Sequence, residues 1–200
     1  IAPGLQADLV VADDLTSFKP YAVYSKGRLV ASQGELVVSI PRSQAALPTT
    51  KFQMAPLQPE QLKIPAAKGA KAWVIGLLPH QIVTKKLLME VPVVNGFIET
   101  SAEKDIAKLM VAERHHQTGT VGVALLHVFG LKEGALASSV AHDSHNLVVV
   151  GMSDEDMLLA AETVAQMGGG LAAVAKGEVL GTLALPIGGL MSQEPVAKVQ

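Results

Sequence analysis

The sequence contains no cysteine. Disulfides and thiolate metal sites are therefore excluded, and the composition fits a reducing compartment, so a cytoplasmic location is expected. Charge is scarce too. Asp, Glu, Lys and Arg make up 17% of the 200 residues, below the roughly 25% of an average domain. With a net charge of -2 there is no basic excess to draw nucleic acid or an anionic membrane. No apolar run is long enough for a membrane span, which needs ~20 residues. The best candidate, GGGLAAVAKGEVLGTLALPIGGLM, is broken by Lys176, Glu178 and Pro186. No signal peptide is visible. Catalytic signatures are missing as well: there is no G-x-S-x-G, no HExxH and no H-x-E…C-x-x-C. The triple glycine at 168–170 follows a helical pattern and precedes a strand, the reverse of a phosphate-binding loop.

What is present reads mostly as strands. Residues 1–40 hold four short ones, at 8–12, 21–25, 29–32 and 35–39, with Lys26-Gly27 as a hairpin turn. They look like the completion of a sheet begun upstream. Residues 41–50, PRSQAALPTT, read as a linker and domain boundary. The proline-rich stretch that follows should be irregular. From 70 onward, runs at 70–78, 80–91, 108–115, 119–129, 134–141, 146–151, 170–175 and 178–185 suit strands. Several are apolar on both faces, as when helices cover a sheet. One helix is clear after Ser153, with Asp156 as the partner of a capping box and Met157, Leu158, Ala161, Val164 and Ala165 on one face. It should end at Gly168. A second helix is expected over 101–108, and 190–200 reads as a polar, helical start. The fold class is therefore layered α/β or α+β, with a mixed sheet and covering helices.

Two polar clusters interrupt this apolar chain. His142-Asp143-Ser144-His145-Asn146 lies between two apolar runs. Asp, Ser and Asn favour turns because their side chains bond nearby backbone N–H groups. Alternatively, the loop converges on a ligand, with His142 or His145 exchanging protons and Asp143 orienting an imidazole. A metal site is a third reading, but only two histidines are on offer where three ligands are needed. Glu113-Arg114-His115-His116 ends another apolar run, and its plain reading is a strand end with a surface Glu113–Arg114 pair. His127 should be a buried, hydrogen-bonded histidine.

The residues also carry a resemblance. IAPGLQADLVVADDL is similar to the closing segment of metal-dependent amidohydrolases, where the chain leaves the barrel for a small β-sandwich. VAERHHQTGTVGVALLHVFGLKEGALASSVAHDSHNLVVVGMSDEDM and GGGLAAVAKGEVLGTLALPIGGLMS resemble the C-terminal domain of bacterial adenine deaminases. The resemblance implies an end of β-sandwich at 1–45 and an α/β domain at 46–200, truncated at its end. It implies a larger enzyme that hydrolyses adenine to hypoxanthine and ammonia in purine salvage. A divalent metal, manganese or iron and binuclear, would be bound by a barrel outside this chain, with no metal ligand here. His142, Asp143 and His145 become candidate catalytic residues, and Ser144 and Asn146 candidate substrate contacts. The partners implied are adenine, the N-terminal barrel and a second copy in a homo-oligomer. The fragment alone should be inactive. Two other readings stand beside this one: a non-catalytic dimerisation or stability module, and a related amidohydrolase acting on another heterocycle.

Overall fold

The computed structural model describes residues 2–41, 51–67 and 70–199. The chain separates into two compact units, Ile1–Ala46 and Leu47–Gln200. The expected linker, apart from Pro41, lies outside the described residues.

The first unit is a four-stranded antiparallel meander of β1 (Leu9–Ala12), β2 (Pro20–Ser25), β3 (Arg28–Ser32) and β4 (Glu35–Leu36), in that order. The last strand is shorter than the 35–39 expected. Lys26 and Gly27 take φ of 51° and 76°, the paired positive values of a tight hairpin turn. The Asp8 carboxylate accepts the Lys26 N–H at 2.6 Å and fixes that turn. Among the described residues of this unit only Ala22 is buried.

The second unit is built on an eight-stranded mixed sheet. Its strands are β5 (Lys71–Gly76), β6 (Lys85–Glu90), β9 (Ile106–Ala112), β10 (Val121–His127), β11 (Ala135–Ser138), β12 (Leu147–Gly151), β13 (Gly170–Ala175) and β14 (Glu178–Ala184). A separate hairpin pairs β7 (Val93–Val94) with β8 (Phe97–Ile98). The sheet order is β14-β13-β11-β12-β9-β10-β5-β6, antiparallel throughout except for the parallel β10–β5 pair. The expected helix over 101–108 is a turn leading into β9, because Ile106–Ala112 pairs on both sides, with β10 and with β12. Residues 80–84 are a turn rather than the start of a strand.

Helix α1 (Asp154–Gln166) covers one face of the sheet. Ser153 caps it by accepting the Asp156 N–H at 3.1 Å. The other half of the expected capping box is not made. The Asp156 carboxylate instead accepts the N–H groups of Lys176 (3.2 Å) and Gly177 (2.8 Å), pinning the β13–β14 turn to the helix start. At the other end, Gly168 N–H reaches the Ala165 carbonyl and Gly169 N–H the Val164 carbonyl, both at 3.0 Å. This is the paired closure of a Schellman cap, with Gly168 at φ 75°. Met157, Ala160, Ala161 and Val164 pack on Met110, Ala137, Leu147, Val149 and Val174. The alanines let the helix approach the sheet closely. Beneath the helix start, Lys108 is fully buried and its Nζ lies 2.6 Å from the Asp154 carboxylate. Lys63 binds the same carboxylate at 2.9 Å. Hydrogen bonding to Asp154 raises the Lys63 pKa above its ordinary value.

The opposite face has a different composition. Cross-strand register aligns Leu183, Leu171, Ser138, Val148, Val111 and Gly122 in one row. The next row is Gly181, Ala173, Leu136, Val150, Leu109 and Ala124. Neither row holds a charge. A short helix, α2 (Val196–Val199), closes the described chain. No helix among the described residues is long and apolar enough to cross a membrane.

Candidate functional site

The loop from Ser139 to Asn146 joins β11 to β12, and two apolar strands hold its ends. Ser144 N–H bonds the His142 carbonyl at 2.9 Å, and His145 N–H bonds the Ala141 carbonyl at 2.8 Å. Asp143 (φ 69°) and His145 (φ 47°) are both left-handed, a region Asp and His enter more readily than most residues. The resulting turn presents His142 and Asp143 to solvent, their side chains 94% and 87% exposed. His142 Nδ1 lies 3.1 Å from the Asp143 carboxylate. Ser144 is exposed beside them. His145 and Asn146 are half-buried, and His145 Nδ1 and Asn146 Oδ1 are enclosed with no hydrogen-bond partner among the described residues. The five candidates therefore divide into an outward group of three and an inward pair.

The second polar cluster holds this loop in place. Strand β9 ends at Ala112, three residues before the expected strand end. The Glu113 carboxylate then accepts N–H groups from His115, His116 and Thr118, closing a turn. Desolvation pushes the Glu113 pKa up, but the N–H groups of Thr118, His115 and His116 and the Thr118 hydroxyl outweigh it. The carboxyl titrates at about 2. The expected Glu113–Arg114 surface pair does not form. Arg114 is 4% exposed. Its Nε donates to the His145 carbonyl at 2.6 Å and its Nη2 to the Gly188 carbonyl at 2.9 Å. Its guanidinium stacks 5.0 Å from the centre of the Phe52 ring. Burial lowers the Arg114 pKa from its ordinary value. His115 Nε2 approaches the Ser144 carbonyl at 3.0 Å, whereas His116 is exposed. Two carbonyls of the loop are thus bound by consecutive residues of one turn.

The glycine motifs complete the clamp. Ser139 is fully buried. Its hydroxyl donates to the Gly189 carbonyl at 2.6 Å and accepts the Gly170 N–H at 2.7 Å. Gly189 has φ 72°, and a Cβ there would lie 3.1 Å from both Arg114 Nη2 and Ser139 Oγ. Gly169, Gly170 and Gly189 therefore serve close backbone packing, since a Cβ at any of them would meet neighbouring atoms within 3.1 Å.

Chemically, the outward group is an imidazole beside a carboxylate. A carboxylate at Nδ1 favours the tautomer with Nε2 free to accept a hydrogen bond. Among the described residues no three His, Asp or Glu side chains come together to hold a metal ion. His127 is half-buried, with Nδ1 3.1 Å from the Asp105 carbonyl, the hydrogen-bonded arrangement expected of it.

Residues 81–200 match the family model of the adenine deaminase C-terminal domain. The chain belongs to that family. Adenine deaminase 2 of Carboxydothermus hydrogenoformans is 57% identical over 201 residues, covering all of this chain and 35% of that protein. The adenine deaminases of Lysinibacillus sphaericus and Dehalococcoides mccartyi are 40% and 39% identical, with the same coverage. The chain thus spans about a third of the length of these curated relatives. Sequence reading missed Arg114, Lys108 and Ser139 as buried polar centres of the family's domain. The partners of Arg114 are 31 and 74 positions away and that of Lys108 is 46 away, separations no local pattern reports.

Proposed function

We propose that the full polypeptide is an adenine aminohydrolase, converting adenine and water to hypoxanthine and ammonia, and that this chain supplies one wall of its purine site. The observation that carries the reading is the loop: an exposed His142–Asp143 pair on a turn that Arg114 and His115 clamp through the carbonyls of His145 and Ser144. A turn needed only to join two strands gains little from a buried arginine clamp. A wall of a site gains fixed side-chain positions. Membership of the adenine deaminase C-terminal domain family supports the substrate class.

On this reading His142 Nε2 meets a ring nitrogen or exocyclic group of the purine, and Asp143 holds the imidazole tautomer. Ser144 adds a hydrogen bond to the base. His145 and Asn146 shape the wall from within. The reaction as a whole draws on a divalent metal, manganese or iron, that activates water. Its ligands would lie in the part of the full polypeptide outside the matched region, about two thirds of the curated relatives' length. A cytoplasmic, homo-oligomeric enzyme completes the proposal.

The test is kinetic. His142→Ala and Asp143→Ala in the full-length enzyme should each lower kcat/KM for adenine by about tenfold or more, ~1.4 kcal/mol of transition-state stabilisation. Rates and adenine affinity within about twofold of the parent would reduce the loop to a turn.

A further inference from the structure

The face of the sheet opposite α1 is not finished as a solvent face. Its two cross-strand rows span six strands without a charge, and Ser138 is their only side chain with a polar atom. Leu136 is 43% exposed and Leu171 39%. Gly181, Ala173, Phe129 and Leu183 are among the residues lining a shallow, open hollow of about 490 Å³. The adjoining sheet edge has the same character. The far edge strand β6 carries Lys85, Lys86 and Glu90, charges that protect an edge from pairing. Edge strand β14 has none from Val179 to Ala184, and its Leu180 is 67% exposed. Depletion of charge over a contiguous apolar patch is the composition of an interface core.

We infer that this face is the seat of an intramolecular contact with the part of the polypeptide outside the matched third. Three observations select that occupant over a second copy of the chain. First, the surface is hollow. A two-fold axis through it would set hollow against hollow and leave a void, whereas packed interfaces need complementary shapes. Second, the curated relatives carry about two thirds of their length beyond the region matched here, a body large enough to present a convex apolar surface. Third, Ser138 and Val148 pair across the β11–β12 hairpin and line the hollow, and the loop 139–146 joins those two strands. A body seated in the hollow therefore lies at the base of the loop that carries His142 and Asp143. The inference rests on the reading of that loop as a wall of the purine site and names the surface that would bring the wall to it.

The test is thiol labelling of the full-length enzyme, read by mass spectrometry so that each site is resolved. Leu136→Cys and Leu171→Cys are compared with Ile82→Cys, whose position is fully exposed. Exposure in the structure alone accounts for a two- to threefold slower reaction at the two face positions. A seated body should slow alkylation there by about tenfold or more, in monomer fractions as well as in oligomers. Rates within about threefold of the control overturn the inference. Protection that disappears in the monomer fraction also overturns it, because the occupant is then a second copy. Labelling needs no turnover, so a failure of the inference is distinguishable from a failure of the reading that the His142 and Asp143 kinetics test.

Discussion

The two faces of the eight-stranded sheet are both apolar but are built differently. The face under α1 is closed by Met157, Ala160, Ala161 and Val164, and it hides a charge, Lys108, against Asp154. The opposite face hides no charge in its two central rows and leaves leucines at 136 and 171 partly in solvent. The difference shows that hydrophobic strands serve two ends in this chain. On one face they drive folding of the domain itself, and there a buried ion pair is tolerated because both partners are fixed by secondary structure. On the other, Ala107, Leu126 and Val150 are buried among Leu77, Leu131 and Met152 while Leu136 and Leu171 stay partly in solvent, the part we assign to association, where an unpaired charge would carry a desolvation cost on docking.

The sharpest way to break the comparison is at its buried charge. Asp154→Ala removes a counter-ion of Lys108 and should lower the unfolding free energy by about 3–5 kcal/mol in denaturant titration. The double change Asp154→Ala with Lys108→Met should recover most of that loss, since no charge is then stranded. A smaller effect is expected at the helix cap. Ser153→Ala frees the Asp156 N–H and should cost about 1 kcal/mol, read as a lowered Tm. The smallest concerns the turn that follows β9. The folded Glu113 carboxyl titrates at about 2, below its ordinary 4.5, so its contribution is complete above about pH 4.5 and is lost as pH falls towards 2. Amide resonances of His115, His116 and Thr118 should follow a midpoint near 2. A midpoint at the ordinary carboxyl value would mean that the turn is not closed as described.

Much of this architecture was legible because local chemistry and tertiary demand agree. Ser153, the three- and four-residue spacing after it and the glycines at 168–170 announce α1 at both ends. The polar run at 142–146 reads as a loop because apolar strands bracket it. The stretch 101–108 misleads for a physical reason. Ala102, Glu103, Lys104 and Ala107 favour helix, yet Asp105 adopts φ 50° and Ile106–Ala112 gains two strand partners, which outweighs intrinsic propensity. The clamp was illegible for another reason. Arg114 follows a carboxylate in sequence, and a Glu-Arg pair at a strand end looks like surface. Only the fold shows the carboxylate spent on backbone N–H groups and the guanidinium drawn inward to carbonyls of two distant loops. Apolar strands likewise reveal that both faces of the sheet are largely hydrophobic, but not that α1 covers one of them or that Lys108 is buried beneath it.

The functional reading stands or falls on whether the clamped turn at 142–146 faces the purine. A crystal structure of the full-length enzyme with a bound adenine analogue decides it. The His142 or Asp143 side chain is expected within about 3 Å of a purine nitrogen, a hydrogen-bond distance. Both side chains turned to bulk water or to a neighbouring subunit, away from the base, would contradict the reading.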